Sequence, residues 1–420
     1  MRELKVYVEI NGDKVLVGYI RGEDWRDAGF RYDSSYLSRE NTRGISISLP
    51  LREEPFSSEQ TKNYFEGLLP EGFSRRTVAN WLKADEDDYI TILSGLGKEC
   101  LGAVRILEDG DDEEGGYELL PDERVKELAA EGATASTEIL VETHLSLAGA
   151  TGKVGLYYDA PENKWYLPKG DAPSTHIVKQ SHIRLKQIVL NEQLCIRTAG
   201  NMGISVPESF IINPGSGADD DLLYATARYD RVLSDEWMVD GLKRPYRLHQ
   251  EDFAQALGIA AADKYEKNPS GYMSGMFELL RNYSSAPMAD QLELLRIIVF
   301  DHLIGNTDCH VKNFSLLYDK DMRSLRLAPA YDLLATRIYN TTSDMSFFIG
   351  GELNIDRIGR DSFARAASEI GLSEKMVLAT FDEMANSFEK ALNAAAEEMA
   401  ENGFEETIGL KQRIMNTISV

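Results

Sequence analysis

The spacing of hydrophobic residues changes along this chain, and the change limits the folds that the chain can adopt. Between Leu4 and Ile10 apolar residues occupy every second position, and Asn11-Gly12 then leads into a second alternating run that starts at Val15. Alternation of this kind is typical of strands, and Asn-Gly between two such runs is the strongest short-range sign of a hairpin. The chain is therefore predicted to begin with a β-hairpin.

Apolar spacing becomes helical in the second half of the chain. Helices are predicted from Gln250 onwards. In the helix predicted over residues 292–304 apolar side chains occupy a wide face, so this helix should be buried. Residues 140–232 lie between these regions and combine short strand-like runs with one helix. A β-rich part, a mixed part and a helical part in this order predict an α+β architecture.

Two further local predictions follow from the same patterns. The alternating run of residues 45–49 stops at Pro50 and predicts another strand. Asn191 precedes a stretch of helical spacing and is predicted to be its N-cap, because asparagine side chains accept hydrogen bonds from the first backbone N–H groups of helices.

The length of the chain, 420 residues, is too great for one ordinary hydrophobic core. The changes in pattern predict an N-terminal β-rich subdomain over residues 1–139, a mixed α/β lobe over residues 140–235 and a helical C-terminal lobe over residues 236–420.

No apolar stretch predicts a membrane span, because the most apolar window, residues 292–304, contains Glu293, Arg296 and Asp301. Residues 1–5 (MRELK) carry charges where a secretion signal needs apolar side chains. We therefore expect a cytoplasmic protein with no membrane partner. The three cysteines are far apart in the sequence, which argues against a disulfide framework or a four-cysteine zinc site.

The charge balance is strongly acidic. Asp and Glu number 69 against 45 Lys and Arg, so the formal net charge is −24. Lys and Arg that neutralise phosphates supply most non-specific binding to nucleic acid, so this chain is a poor candidate for direct DNA binding. Any DNA contact is better assigned to a partner, and most of the acidity serves solubility.

The polar residues suited to chemistry are concentrated in the segment that follows the predicted buried helix. Asp308 and Asn313 stand in a short loop there, and such groups cost about 1–3 kcal/mol each when they are buried without partners. Phosphoryl transfer gives them a use, because it needs a carboxylate to orient the acceptor hydroxyl and an Asn and an Asp to hold Mg²⁺. Asp308 and Asn313 have the Asp-x-x-x-x-Asn spacing of the protein-kinase catalytic loop, and Asp332 follows where the second metal-binding carboxylate is expected.

Other interpretations of these residues are weaker. Asp308 and Asn313 could each cap a turn, as isolated Asp and Asn residues often do, but their combination with Asp332 and an upstream lysine favours the kinase interpretation. The sequence has no His-Glu-x-x-His pair for a zinc hydrolase and no Gly-x-Ser-x-Gly elbow for an α/β-hydrolase. Cys309 beside His310 is expected to be a small buried residue rather than a nucleophile.

The upstream lysine is Lys179, at the end of a strand-like run, and a lysine that points from a strand towards phosphates recurs in kinases. An edge-strand lysine that discourages aggregation is the alternative. Residues 146–153 (SLAGATGK) form a small-residue loop that could bring backbone N–H groups near a phosphate. The loop is not a Walker A motif, because Val154 stands where a Ser or Thr should follow Lys153.

The chain resembles the HipA family of serine/threonine kinases, which are toxins of bacterial toxin–antitoxin pairs, over nearly its full length. The matching stretches, besides the Asp308 and Asp332 segments, are residues 65–72 (FEGLLPEG), 146–150 (SLAGA), 175–179 (THIVK), 191–195 (NEQLC), 228–231 (RYDR) and 247–253 (RLHQEDF). Their shared order is more specific than any one of them. The resemblance implies a protein-kinase-like two-lobed fold, with residues 140–235 as the nucleotide-binding lobe, and ATP and Mg²⁺ as cofactors.

The resemblance also implies roles for individual residues. Asp308 is similar to the catalytic base, Asn313 and Asp332 to the magnesium ligands, and Ser146 to an autophosphorylation site whose modification shuts the enzyme down. The nucleotide-binding residues that it implies are Ala148, Gly149, Ala150, Thr151, Gly152, Lys153, Lys179, Ala227, Tyr229, Asp230, His310, Lys312 and Tyr331. Among these, Lys179 would contact the phosphates, Ala227 and Tyr229 would present backbone groups to adenine, and Asp230 and His310 would approach the ribose.

The partner implied by the resemblance is a HipB-like helix-turn-helix antitoxin, which would supply the DNA binding that this acidic chain lacks. The family's best-known substrates, the aminoacyl-tRNA synthetases, are one candidate target class. The sequence departs from the family where Ala227 replaces the usual glutamate and where Gly152 replaces an often charged residue.

Two alternatives to an active protein kinase remain open. One is a catalytically silent kinase fold that serves as corepressor for a DNA-binding antitoxin. The other is a kinase for small molecules or lipids, which would use the same metal and phosphate chemistry.

Overall fold

The first hairpin of the chain forms where the Asn-Gly pair predicts it. In the computed structural model, β1 (Arg2–Ile10) pairs antiparallel with β2 (Asp13–Gly22), so that Ile10 lies opposite Asp13. Asn11 and Gly12 both have positive φ, 52° and 88°, which Asn and Gly adopt at little cost. The structure describes residues 2–110, 115–131, 133–143, 146–147, 152–181 and 185–417.

Contacts divide the chain into two compact units. The first unit comprises Met1–Ser181, Ile212–Ala261 and Leu317–Leu325, and the second comprises His182–Ile211, Ala262–Leu316 and Arg326–Val420. Strands predominate in the first unit and helices in the second, so the α+β class predicted from the sequence is confirmed.

The N-terminal sheet of the first unit has the order β3–β2–β1–β4 and is antiparallel throughout. Its outer strands are β3 (Gly29–Tyr32) and β4 (Val104–Leu107). Leu4, Val6 and Val8 on β1 are fully buried, as their alternation predicts. The helices of this part are α1 (Ser34–Leu37), α2 (Ser58–Phe65), α3 (Gly72–Leu82), α4 (Tyr89–Leu96), α5 (Asp122–Glu131) and α6 (Ala133–Thr143).

A second antiparallel sheet follows in the first unit, with neighbouring strands in the order β5–β7–β6–β8–β10. These strands are β5 (Gly116–Leu120), β6 (Lys153–Asp159), β7 (Lys164–Lys169), β8 (His176–Gln180) and β10 (Leu223–Ala227), while the short β9 (Ser209–Ile212) includes residues of both units. The remaining elements of the unit are β11 (Arg231–Val232), β12 (Met238–Val239), β13 (Leu242–Lys243), β14 (Tyr246–Arg247), β15 (Gln250–Asp252) and α8 (Phe253–Leu257).

Residues 45–49 do not form the predicted strand; a single bridge joins Ser46 to Leu49. Two buried side chains bind this segment instead. The Glu251 carboxylate accepts hydrogen bonds from Ser46 Oγ at 2.5 Å and from the Ile47 N–H at 3.1 Å, and His249 Nε2 lies 2.7 Å from the carbonyl oxygen of residue 45. These side chains satisfy backbone groups that a neighbouring strand would otherwise have bound.

The second unit is mainly helical. Its helices are α7 (Ile188–Asn201), α9 (Tyr272–Tyr283), α10 (Pro287–Ile304), α11 (Arg360–Glu369), α12 (Glu374–Glu401) and α13 (Glu406–Thr417). Its hairpin is formed by β18 (Asp344–Ile349) and β19 (Glu352–Asn354), while β16 (Ser315–Tyr318) and β17 (Leu325–Leu327) include residues of both units. Within the described chain, no helix combines the length and the apolar character that a membrane crossing requires.

Two helix predictions have different outcomes. The apolar helix predicted over residues 292–304 is part of α10 and is buried along most of its length. Asn191 is not an N-cap, because α7 begins at Ile188 and Asn191 lies within it. Its side chain binds the chain segment near Ala335 instead: Nδ2 donates to the Ala335 carbonyl at 3.2 Å, and Oδ1 accepts from the Ala335 N–H at 3.1 Å.

Candidate active site

The candidate site of the second unit begins where α10 ends. Gly305 caps the helix with φ of 76°, a conformation that glycine adopts without the steric penalty of a side chain. Asn306 then binds the chain back to Asp301: its N–H donates to the Asp301 carbonyl and its Nδ2 to Asp301 Oδ1, both at 2.8 Å. Its own Oδ1 accepts from the Asp308 N–H at 3.1 Å. The end of a buried helix therefore fixes the backbone at Asp308.

Asp301 is a buried acid that the sequence analysis did not select as part of the site. The pKa of its carboxyl is raised to about 8, because the effect of burial exceeds that of the hydrogen bond from Asn306, which lowers the pKa. Asp301 is therefore mainly protonated at neutral pH, and it supports the loop as a neutral hydrogen-bonding group.

The loop from Asp308 to Asn313 folds back on the carbonyl of its first residue. The His310 N–H donates to the Asp308 carbonyl at 2.8 Å, Asn313 Nδ2 donates to the same oxygen at 2.9 Å, and the Asn313 N–H donates to the His310 carbonyl at 2.7 Å. Asp308 is exposed, whereas Cys309 and His310 are buried. The loop thus presents the Asp308 carboxylate to solvent from a backbone that is held at several points.

The thiol of Cys309 does not suit nucleophilic chemistry. It is 1% exposed, and burial raises its pKa well above the usual value for a cysteine. Since the thiolate is the reactive form, this environment makes the thiol inert.

Tyr265 contacts the candidate base directly, and no sequence pattern indicated it. Its hydroxyl donates to Asp308 Oδ1 at 2.5 Å, and its ring meets the His310 ring edge-on with centroids 5.3 Å apart. The residue precedes α9 by several positions, so only the folded chain brings it to the loop.

The Asp332 segment is joined to the same loop through its neighbour Tyr331. The Tyr331 hydroxyl donates to the Lys312 carbonyl at 2.8 Å and lies 2.7 Å from Ser315 Oγ. Asp332 itself has φ of 58°, a left-handed conformation that is uncommon for a residue with a side chain. Residues held in such conformations cluster at active sites.

The donor set suits a hard divalent cation such as Mg²⁺. Because Asn313 Nδ2 donates to the Asp308 carbonyl, the Asn313 amide oxygen is the atom left to act as a ligand. Asp332 adds a carboxylate, and magnesium in phosphate-binding sites is held by few protein oxygens together with phosphate oxygens and water. Asn313 and Asp332 are both partly exposed.

In the first unit, Lys153 and Lys179 lie directly opposite each other on β6 and β8. Lys179 is also paired with Tyr224 on β10, and its ammonium lies 5.7 Å from the centroid of the Tyr224 ring. Both lysines are partly exposed. The sheet thus carries two cationic side chains at neighbouring positions.

Asp230, predicted near the ribose, lies in a buried ion network of the first unit. Arg228 Nε donates to Asp230 Oδ1 at 2.9 Å, and the Gly102 N–H donates to Oδ2 at 2.7 Å. Burial raises the pKa of the Asp230 carboxyl, but the charges of Arg228 and Arg231 outweigh burial and hold that pKa below its usual value. Ala227 is the last residue of β10, and Tyr229 directly precedes Asp230 in the sequence. Ala227 and Tyr229 are both partly exposed, and the Tyr229 hydroxyl donates to Gln250 Oε1.

Ser146 is fully buried in the first unit. Its hydroxyl donates to the Leu68 carbonyl and its N–H to the Glu99 carbonyl, both at 2.7 Å. A Cβ atom at Gly152 would lie 1.9 Å from Nε2 at the end of the Gln180 side chain, so a larger residue there would displace that side chain. Four of the predicted nucleotide-binding residues lie outside the described residues: Ala148, Gly149, Ala150 and Thr151.

Each unit thus contains some of the site residues predicted from the sequence. The second unit brings together Asp308, His310, Lys312, Asn313 and the Tyr331–Asp332 pair. The first unit contains Ser146, Gly152, Lys153, Lys179, Ala227, Tyr229 and Asp230. Asn306 and Asp301, which support the loop, could have been suspected because they are buried polar residues at the end of an apolar helix; Tyr265 had no such signal.

Comparison with known families and proteins gives matches over both parts of the chain. The model of the HipA-like C-terminal domain matches residues 145–392, and that of the HipA N-terminal domain matches residues 8–107. A putative kinase of Sinorhizobium fredii is 32% identical, over 93% of this chain and 91% of its own length. The serine/threonine-protein kinase toxin HipA of Shewanella oneidensis is 23% identical, over 91% of this chain and 84% of its own length.

A solved structure has the same fold. It is the complex of Shewanella oneidensis HipA with HipB and operator DNA, which matches with a TM-score of 0.78 and 20% sequence identity, over 99% of this chain and 96% of the solved chain. The fold class predicted from the sequence, α+β with a protein-kinase-like architecture, is thereby confirmed.

Proposed function

The chain belongs to the HipA family of protein kinases, and on that premise we propose that it transfers the γ-phosphoryl group of ATP, with Mg²⁺, to serine or threonine hydroxyls of a cellular protein. We propose further that it acts as the toxin of a toxin–antitoxin pair. The first proposal is supported mainly by one observation: a loop held by several backbone hydrogen bonds presents an exposed carboxylate, Asp308, and binds the Asn313 side chain through the Asp308 carbonyl.

Each residue of the loop has a defined task in this proposal. Asp308 accepts the proton of the acceptor hydroxyl as that oxygen attacks the γ-phosphorus, and Asn313 and Asp332 hold the cation through oxygen atoms. Bound Mg²⁺ would neutralise negative charge on the phosphates. Lys179, with Lys153 opposite it on the neighbouring strand, is proposed to bind the phosphates, because a lysine that points from a strand towards phosphates recurs in kinases.

Loss of the Asp308 carboxylate should abolish phosphoryl transfer without unfolding the chain. Asp308→Asn keeps the size of the side chain but removes the proton acceptor, so transfer from labelled ATP should fall at least about 100-fold. Asp361→Asn, at an exposed position in the first turn of α11, is the matched control and should keep wild-type activity. Equal labelling by the wild type and Asp308→Asn would contradict the proposal.

The same assay separates the alternatives. If the chain is a silent corepressor, neither the wild type nor Asp308→Asn will transfer phosphate. A kinase for small molecules or lipids would label such compounds but no protein in a cell lysate. Aminoacyl-tRNA synthetases are the first protein substrates to include, since they are the family's best-known targets.

Ser146 is proposed as the autophosphorylation site, and its burial sets a condition for that reaction. Its hydroxyl is 0% exposed and is bound to the Leu68 carbonyl, so the segment must open before a phosphoryl group can reach it. The phosphate would add a charge of about −1.5 to −2 and could not return to the same buried position. Mass spectrometry of the samples labelled above should therefore locate a slowly acquired phosphate on Ser146.

The proposed partner is a HipB-like antitoxin. The structural match to a HipA of a HipA–HipB–operator DNA complex supports this proposal, and so does the net charge of −24, which disfavours direct DNA binding by the chain itself. DNA would be contacted through the antitoxin.

A further inference from the structure

Tyr265 is held beside the candidate base by a well-anchored backbone. The next residue, Glu266, is buried, and its N–H donates to the Ser346 carbonyl at 2.8 Å. The Glu266 carboxylate accepts from the N–H groups of Ser270, Gly271 and Phe348 at 2.6, 2.7 and 2.9 Å. A turn and a strand are thus both bound to the residue that follows Tyr265, so the position of the tyrosine is fixed by more than its own side chain.

The Tyr265 side chain makes the contact that an acceptor hydroxyl would make. Its hydroxyl donates to Asp308 Oδ1 at 2.5 Å, within the range for a hydroxyl bound to a carboxylate. The ring packs edge-on against His310 at an angle of 80°, and 41% of the residue remains exposed. A substrate hydroxyl awaiting deprotonation must donate to the same carboxylate over a similar distance.

We propose that Tyr265 is a placeholder on the base: its hydroxyl occupies Asp308 Oδ1 until a protein acceptor displaces it, and so keeps water from being activated there. Tyr265 is a positioning residue that controls which acceptor reaches the base. The inference rests on the proposed role of Asp308 as the base.

The reaction that Tyr265 would suppress is ATP hydrolysis. In that reaction a water oxygen forms a bond to the γ-phosphorus, the bond from that phosphorus to the β–γ bridging oxygen breaks, and ADP leaves. Asp308 takes one proton of the water, and inorganic phosphate is the second product. A kinase with an exposed base is open to this side reaction, because water is a small acceptor at very high concentration.

Tyr265→Phe isolates the hydroxyl. The variant keeps the ring that packs on His310 and removes only the group that contacts Asp308. Tyr283→Phe is the matched control, because Tyr283 ends α9 and is 45% exposed, similar to Tyr265. The double variant Tyr265→Phe/Asp308→Asn tests whether an effect depends on the base.

The experiment measures ADP release from MgATP without any protein acceptor. We expect Tyr265→Phe to raise kcat for hydrolysis at least about tenfold, the lower end of the factor that corresponds to loss of one hydrogen bond to a charged group, with KM for ATP unchanged. Tyr283→Phe should behave like the wild type, and the double variant should lose the gain.

Three results would overturn the inference. An unchanged kcat would show that the hydroxyl does not block the base, and a lower kcat would show that Tyr265 only orients Asp308. A phosphate on Tyr265 in wild-type protein would show that the residue is an acceptor rather than a placeholder. Failure of the proposed function has a different signature, in which neither the wild type nor Tyr265→Phe releases ADP or labels protein.

Discussion

Asp301 and Asp308 are close together in the sequence, but their carboxyl groups are in different environments. Asp301 is 1% exposed within α10, and burial raises its pKa to about 8, so it supports the site in its neutral form. Asp308 is exposed at the start of the loop and contacts Tyr265. The first acid supports the loop, and the second is exposed to solvent, as its proposed role as the base requires.

Glu251, in the first unit, is another buried acid whose pKa is raised. It is fully buried, and burial raises its pKa to about 7, although hydrogen bonds from Ser46 and Tyr318 act in the opposite direction. A carboxyl whose pKa is higher in the folded state than in the unfolded chain binds more protons when folded. The free energy of unfolding should therefore decrease as pH rises from about 4.5 to about 7, and this contribution should be constant above that range.

Glu251→Gln should remove this dependence, because glutamine stays neutral at every pH. Relative to the wild type, we expect a higher Tm for the variant at pH 8 and no such advantage at pH 4.5. Thermal unfolding of both proteins across this range gives the difference. Glu54→Gln, at an exposed glutamate, is the control and should give a flat difference. A flat difference for Glu251→Gln as well would contradict the assignment.

At the scale of elements, the junction between α10 and the candidate loop depends on Gly305. Its φ of 76° is left-handed, and a Cβ atom there would lie 3.3 Å from Arg337 Cβ. Arg337 is in turn held by Asp356 at 2.9 Å. The loop that carries Asp308 therefore starts from a position that favours glycine on both conformational and packing grounds.

Gly305→Ala should reduce the free energy of unfolding by about 1–2 kcal/mol, the cost of a left-handed residue with a Cβ atom, and should also lower phosphoryl transfer. Gly403→Ala is the matched control, since Gly403 follows α12 with φ of 94° and a Cβ atom added there would meet no other atom within 4 Å. Chemical denaturation should show a loss for both variants, whereas only Gly305→Ala should lose activity. Full activity in Gly305→Ala would mean that this junction does not position the base.

Local sequence patterns predicted an element correctly where residues close together in the sequence determine its structure. The Asn11-Gly12 turn and α10 follow from turn chemistry and periodicity, which act over a few residues. Residues 45–49 were predicted wrongly because Glu251, far away in the sequence, binds their polar groups. Asn191 was misassigned for the same reason, since its partner is Ala335.

The candidate site shows the same division between local and distant information. The spacing of Asp308 and Asn313 was readable because both stand in one loop, whereas Tyr265 reaches Asp308 from a different part of the chain. A contact between residues so far apart leaves no trace in the pattern of a single sequence.

At the scale of the whole molecule, the two units bury charge in different ways. The first unit has a network of paired ions around Glu99, whose carboxylate is bound by Arg228 at 3.1 Å, by Arg231 at 2.8 Å and by Arg247 at 2.8 Å. Burial alone would raise the pKa of Glu99, but the three arginines hold it far below its usual value. The candidate loop of the second unit instead leaves its acid exposed, as a proton acceptor requires.

The central claim, that Asp308, Asn313 and Asp332 serve one Mg²⁺–nucleotide complex, is tested most directly by a crystal structure of the chain with Mg²⁺ and a non-hydrolysable ATP analogue. We predict metal–oxygen distances of about 2.1 Å to the Asn313 amide oxygen and to an Asp332 carboxylate oxygen, with the γ-phosphate facing Asp308. A nucleotide bound elsewhere, or a metal ion that neither Asn313 nor Asp332 contacts, would contradict the account.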